Sequence, residues 1–265
     1  MAGVPGLLRP SRLAVLSLAL LAPLVLTACR AQPQRLSAQV VARFPHDSGA
    51  FTEGLLYAHG YLYESTGLVG HSSVREVDPA SGAVVRQRDL PPPYFGEGLA
   101  LVGDRLIQLT YKAGVAFEWD RATFNPLGIF HYQGEGWGLC YDGQALYMSN
   151  GSATITRRDP DTFAVEGTIT VRRSGRAVKN VNELECVGNS IYANVWLTDQ
   201  ILRIDKTSGR VTAVIDASAL RKSLPGLDNP DAVLNGIAYD SAGKRFLVTG
   251  KLWPTLFQVR FVPAR

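Results

Sequence analysis

One short phrase recurs along this chain. It reads Phe51-Thr52-Glu53-Gly54-Leu55, Phe95-Gly96-Glu97-Gly98-Leu99 and Gly134-Glu135-Gly136-Trp137-Gly138-Leu139, with degenerate copies at Asn182-Glu183-Leu184-Glu185 and Leu234-Asn235-Gly236-Ile237. With Gly54, Gly98, Gly138, Glu185 and Gly236 taken as equivalent, the steps are roughly 44, 40, 47 and 51 residues, a spacing in the range of propeller blades. The repeat therefore constrains both the fold and the place where side chains gather.

Each copy reads as strand, turn, strand, turn, with no long helical periodicity. In the first copy, residues 54–58, 61–65, 73–78 and 84–89 alternate as strands between turn signals such as His59-Gly60 and Pro79 to Gly82. An aspartate closes the third strand at Asp78, Asp120, Asp159 and Asp205. The fifth copy has room for only three strands, and residues 38–44, ahead of the first copy, alternate in a way that can supply the fourth. Such closure leaves only short protected edges. The expected fold is all-β, a five-bladed β-propeller over residues 37–265, and 46% hydrophobic residues suffice for its core.

Residues 1–28 read as a targeting segment instead. Arg9 and Arg12 precede an uncharged apolar run from Leu13 to Leu26, which ends in Leu26-Thr27-Ala28-Cys29. This pattern resembles a bacterial lipoprotein signal. It implies export, cleavage before Cys29, lipid attachment to its sulfur and a linker over 29–36, which would place the protein on the periplasmic face of a membrane. An ordinary cleaved signal, giving a soluble periplasmic or secreted protein, is the alternative. Removing residues 1–28 takes away two arginines and no acids, so the formal charge falls from +4 to +2. That balance, with no basic run, argues against nucleic acid as a partner, and nothing points to an oligomer. Of the two remaining cysteines, Cys140 and Cys186, the expectation is two small buried side chains on inner strands, with a disulfide open as the alternative.

In a propeller the innermost strands all start at one end of the channel, so Phe51, Glu53, Phe95, Glu97, Trp137 and Asn182 are expected to converge. Lys251, in Thr249-Gly250-Lys251-Leu252-Trp253-Pro254, is a further candidate. A carboxylate flanked by aromatic rings can bind an ammonium group and change its own pKa by desolvation. Trp137 and Trp196 read equally well as packing residues. The histidines, His46, His59, His71 and His131, are isolated and read as loop or surface residues, with no metal-binding spacing.

At this point the strings 51–55, 64–75, 95–99, 182–185, 193–196, 234–240 and 248–254 resemble the plant and bacterial type of glutaminyl-peptide cyclotransferase over nearly all of the mature chain. The resemblance implies a five-bladed propeller that is an acyltransferase, converting N-terminal glutamine of peptides or proteins to pyroglutamate with release of ammonia, without a cofactor or catalytic metal. By position, it implies that Glu97 is catalytic with Phe95 beside it, that Trp137, Trp196 and Asn182 belong to the pocket, and that Lys251 is the pocket lysine. Phe51 and Glu53 fall in the substrate-binding phrase, where Glu53 stands for a common glutamine, and Tyr111 stands where the family usually has tryptophan. Glu97 is expected to carry the proton from the substrate amine to the leaving ammonia, while Lys251, Asn182 or an indole N–H stabilises the oxyanion. Two other readings remain at this stage. One is a metal-dependent propeller hydrolase or lactonase with Glu53, Glu97, Asn182 and Asn235 as oxygen ligands, and the other is a non-catalytic binding propeller.

Overall fold

The computed structural model describes residues 1–3, 6 and 32–264. Most of the expected signal segment, with Cys29, lies outside the described residues. Short β-branched and aromatic runs between turn residues form strands throughout. Strand β1 (Gln34–Pro45) comes first. The first sheet is β2 (Thr52–Ala58), β3 (Tyr61–Thr66), β4 (Ser73–Val77) and β5 (Val84–Asp89), and the second is β6 (Gly96–Val102), β7 (Arg105–Thr110), β8 (Val115–Asp120) and β9 (Pro126–His131). The third is β10 (Leu139–Tyr141), β11 (Leu146–Met148), β12 (Thr154–Arg158) and β13 (Val165–Thr170), followed by a two-stranded hairpin of β14 (Arg172–Arg173) and β15 (Arg176–Ala177). Then come β16 (Val181–Val187), β17 (Ser190–Val195), β18 (Gln200–Asp205) and β19 (Val211–Asp216), a five-residue helix α1 (Ser218–Lys222), and β20 (Leu234–Asp240), β21 (Arg245–Gly250) and β22 (Thr255–Pro263).

These last strands form one eight-stranded sheet in the order β16-β17-β18-β19-β1-β22-β21-β20. Its two antiparallel halves meet where β1 runs parallel to β19, from Gln34 opposite Ala213 to Ser37 opposite Asp216. On its other edge β1 pairs antiparallel with β22, from Leu36 opposite Pro263 to Pro45 opposite Thr255. The N-terminal strand thus completes the C-terminal sheet. It begins at Gln34, inside the segment read as a linker, because the open edge of β19 offers unpaired backbone groups for residues 34–37 to bond.

Apolar side chains pack between consecutive sheets. One cluster joins Leu56, Tyr63 and Val74 to Leu99, Leu106 and Trp119, and a second joins Ile107 and Leu109 to Leu139 and Leu146. A third joins Tyr147 and Ile155 to Leu184, Ile191 and Leu202. The fourth places Ile201 and Ile215 with Ile237, Val248 and Phe257, and the fifth returns to the start, with Leu55 and Leu62 against Ala238, Leu247 and Leu256. The first strands follow the same cycle: β2 meets β6, β6 meets β10, β10 meets β16, β16 meets β20, and β20 meets β2.

The aspartates that close the third strands hold the outer turns. Asp78, Asp120, Asp159 and Asp205 each accept a backbone N–H and a hydroxyl from a residue three positions on, Ser81, Thr123, Thr162 and Ser208. This is the Asx-type chemistry that favours aspartate at turns. Cys140 and Cys186, expected as separate thiols, are joined in a disulfide with Cα atoms 5.5 Å apart. They lie on β10 and β16, neighbours in the cycle, which brings the two side chains within bonding reach.

His46 departs from the surface placement expected of it. It is buried between sheets, with Nδ1 2.6 Å from the Trp253 carbonyl and Nε2 3.1 Å from Glu64 Oε1. Glu64 also accepts from Thr52 Oγ1 at 2.6 Å and from Arg75 Nη2 at 2.6 Å. Burial alone would lower the His46 pKa, but the Glu64 carboxylate raises it above 6.5, and His46 and Arg75 overcome burial to hold Glu64 at about 2. The pair contributes fully between the unfolded Glu and His values, roughly pH 4.5 to 6.5. Its contribution falls as pH rises through the His46 value or drops toward that of Glu64. Urea unfolding across pH will show this, with the alkaline decline flattened in His46→Gln. Glu64→Gln, which leaves Arg75 and His46 without their buried counter-charge, will cost about 3–5 kcal/mol.

Candidate active site

The repeated phrase works by breaking the ladder it belongs to. Register slips between Thr52 and Gly54, Gly96 and Leu99, Val181 and Leu184, and Leu234 and Ile237. A bulge leaves residues out of the pairing and re-aims their side chains. Those released include Glu53, Glu97, Asn182 and Asn235. In the third sheet β10 starts only at Leu139, so Trp137 precedes it in the equivalent position. The glycine that follows is needed because neighbouring first strands approach backbone to backbone. A Cβ at Gly54, Gly98 or Gly138 would overlap backbone of Leu99, Leu139 or Asn182.

This alignment corrects the register read from sequence. Leu184 pairs in β16 as Leu55, Leu99 and Ile237 do in their strands, so Glu183, not Glu185, stands where the other copies carry glycine. The Glu183 side chain reaches across to the neighbouring first strands and accepts N–H groups from Leu55 at 3.4 Å and Ile237 at 3.0 Å. It is 1% exposed, and burial followed by repulsion from Glu185 pushes its pKa well up. Glu185 accepts the Tyr239 N–H at 2.8 Å, and burial raises it to about 8.

A cavity of about 210 Å³ opens beside these bulges, lined by Phe51, Glu53, Phe95, Glu97, Tyr111, Trp137, Asn182, Trp196, Asp231 and Lys251. All nine pocket residues expected from sequence are together there. Asp231 joins them from the loop before β20. Tyr111, Trp196 and Lys251 share a position of their own, each directly following the second strand of its sheet. At under the roughly 300 Å³ of drug-sized sites, the cavity suits one or two residues of a chain end.

Five aromatic rings wall it in a continuous arc. Phe51 meets Phe95 edge-on at 6.1 Å, Phe95 meets Tyr111 at 5.9 Å, Tyr111 meets Trp137 at 6.4 Å and Trp137 meets Trp196 at 5.5 Å. Gly151, at φ +75°, leaves the space that the Trp137 ring fills. The Trp137 indole N–H donates to Glu135 Oε2 at 3.0 Å, and Lys112 lies 3.5 Å from the other Glu135 oxygen.

Charged groups complete the wall. Lys251 Nζ donates to Glu53 Oε1 at 2.5 Å and sits 4.6 Å from the Phe51 ring centre. Asn235 Nδ2 donates to the Thr52 carbonyl at 2.9 Å, which fixes that amide's orientation and leaves its Oδ1 to accept from Asn182 Nδ2 at 3.1 Å. Asn182 therefore turns its oxygen, which is buried without a protein partner, toward other groups. Asn182 spends one of its two amide N–H donors on Asn235 and keeps the other. Glu97 is 5% exposed and has no hydrogen-bond partner among the described residues. Desolvation, then repulsion from Glu53, raise its pKa well above the ordinary carboxylate value, against the pull of Lys251. Burial likewise raises Glu53, opposed by Lys251.

A metal-ligand reading of Glu53, Glu97, Asn182 and Asn235 does not fit this arrangement, because the Lys251 ammonium occupies Glu53 and the two amides bond each other. Among the described residues no group of three or more His, Cys, Asp or Glu side chains could hold a metal ion.

A family model described as glutamine cyclotransferase matches residues 14–261. The chain belongs to the glutamine cyclotransferase family. It is similar to a glutaminyl-peptide cyclotransferase of Arabidopsis thaliana, 45% identical over 233 residues that cover 85% of this chain and 72% of the relative. It is also similar to the crystal structure of Myxococcus xanthus glutaminyl cyclase, with a TM-score of 0.84 and 41% identity, covering 88% of this chain and all of that one.

Within this cyclotransferase fold Glu183 ties the strand after Glu53 and the strand after Asn235 to its own. Glu183→Gln would set an amide N–H2 against one of the two backbone N–H groups. The buried donor left unpaired will cost about 1–3 kcal/mol in chemical denaturation.

Proposed function

We propose that the chain converts N-terminal glutamine of peptides or proteins to pyroglutamate with release of ammonia, and that Glu97 carries the proton. The observation that supports this most is a carboxyl buried without a partner, with a raised pKa, facing an aromatic cavity of single-residue size. The family membership and the named activities of the two relatives agree with it.

In this reading the neutral α-amine attacks the Cδ of its own side-chain carboxamide, so an N–C bond forms and the bond to the leaving nitrogen breaks. A free α-amine has a pKa near 7.7–8.0, so it needs a base to reach the attacking form. Glu97 accepts the amine proton and returns it to the departing nitrogen, and a raised pKa suits both transfers. Asn182 Oδ1 accepts an N–H of the substrate. Lys251 stabilises the oxyanion, for which a lost donor typically costs roughly 2.7–4 kcal/mol. The aromatic arc holds the folded conformer in which amine and carboxamide meet, and reactants held that way need no further encounter.

The supporting fold is a five-bladed propeller. Five apolar clusters in a closed cycle, first strands that meet in the same cycle, and β1 completing the sheet of β20 to β22 all favour it. We further propose that the protein is an exported lipoprotein held by Cys29 on the periplasmic face of a membrane. The apolar run before Cys29 supports this, and the Cys140–Cys186 disulfide suits an oxidising compartment.

The deciding experiment is ammonia release from a Gln-initiated dipeptide with EDTA present. The parent will turn over and Glu97→Gln will lose roughly 10²–10⁴-fold in kcat; a folded parent without turnover refutes the assignment. In Glu53→Gln the neighbouring like charge is gone and Lys251 acts on Glu97 alone. Both changes lower the Glu97 pKa, so the acid limb of the kcat/KM profile will move to lower pH.

A further inference from the structure

The hairpin β14–β15 belongs to no large sheet, and none of its residues lines the cavity. Arg172, Arg173 and Arg176 are all exposed on it. The Arg172 N–H donates to the Gly209 carbonyl at 2.9 Å, and its backbone bridges that of exposed Arg210. Ser174 Oγ donates to Gln32 Oε1 at 2.8 Å, and Arg203 Nη2 donates to Gln34 Oε1 at 2.9 Å, next to exposed Arg35. The hairpin's three exposed arginines therefore stand beside Gln32, with Arg203 bonded two residues further along.

None of these four arginines forms an ion pair with a described carboxylate, and residues 1–31 contain no Asp or Glu. Asp205, beside Arg210, is occupied by the Ser208 N–H and hydroxyl. The contacts that Arg172 and Arg173 make, to the Gly175 carbonyl and to Gln200 Oε1, are neutral and long at 3.4 Å. Residues 29–265 carry a formal charge of only +2, so the three hairpin arginines alone exceed the net charge of that whole segment.

We propose that this arginine cluster is the face that lies against an anionic phospholipid surface. The proposal rests on the reading of Cys29 as lipid-anchored. Gln32, bonded to Ser174 of the hairpin, is three positions beyond Cys29, a reach of at most about 10 Å, which matches the Debye length over which a lipid-anchored Cys29 would let the arginines feel the headgroups. The anchor supplies attachment and the arginines supply orientation.

The test compares the full chain carrying Cys29→Ala with the same chain also carrying Arg172→Gln, Arg173→Gln and Arg176→Gln, in flotation with vesicles. Both chains share the apolar N-terminal run, so its effect cancels. At about fivefold per arginine near a charged bilayer, the triple substitution will weaken binding to phosphatidylglycerol-containing vesicles by roughly 100-fold. It will make no difference on phosphatidylcholine, and high salt will abolish the gap. Unchanged glutamine cyclisation by the triple variant shows that its fold is intact. Equal binding of the two chains to phosphatidylglycerol vesicles overturns the proposal. The mass of the Cys29 peptide from cells tests the anchor separately: an unmodified cysteine refutes the anchor, while the flotation comparison still decides the arginine face.

Discussion

The site depends on how closely the first strands crowd around the channel. Backbone meets backbone at Gly54, Gly98 and Gly138, where no Cβ fits. Regular pairing cannot continue through such an approach, so the ladder slips there and turns one side chain per copy toward the channel mouth. The same crowding that closes the cycle therefore aims Glu53, Glu97, Trp137, Asn182 and Asn235. Fold closure and site assembly are one event.

Crowding also sets the electrostatics. Carboxylates buried in the fold lose hydration, and each meets this differently. Glu64 is met by Arg75 and His46 and stays ionised, whereas Glu53 has Lys251 as its single cation. Glu183 is met only by two backbone N–H groups, and Glu97 by nothing. The gradation separates structural carboxylates from the one left free for chemistry. Identical side chains acquire different roles from the number of donors within reach.

Much of this was legible because each blade-length unit repeats one local rule. The phrase around Gly54 and Gly98 marked the bulges, the aspartates at 78, 120, 159 and 205 marked the turns, and the resemblance supplied Tyr111 and Trp196. A second signal is the residue directly after the second strand of three of the copies, Tyr111, Trp196 and Lys251. Other features were not readable from local pattern. The Glu183 register was obscured because glutamate there does what glycine does elsewhere, by reaching across to Leu55 and Ile237. The burial of His46, the Cys140–Cys186 bond and the acceptor orientation of Asn182 each depend on partners far along the chain.

The pairing of β1 with β22 joins residues 34–45 to residues 255–263. The strand that comes first in the fold has its antiparallel partner some two hundred residues further along, so the cycle stays open until β22 has been made. Contacts of such sequence separation are slow to form.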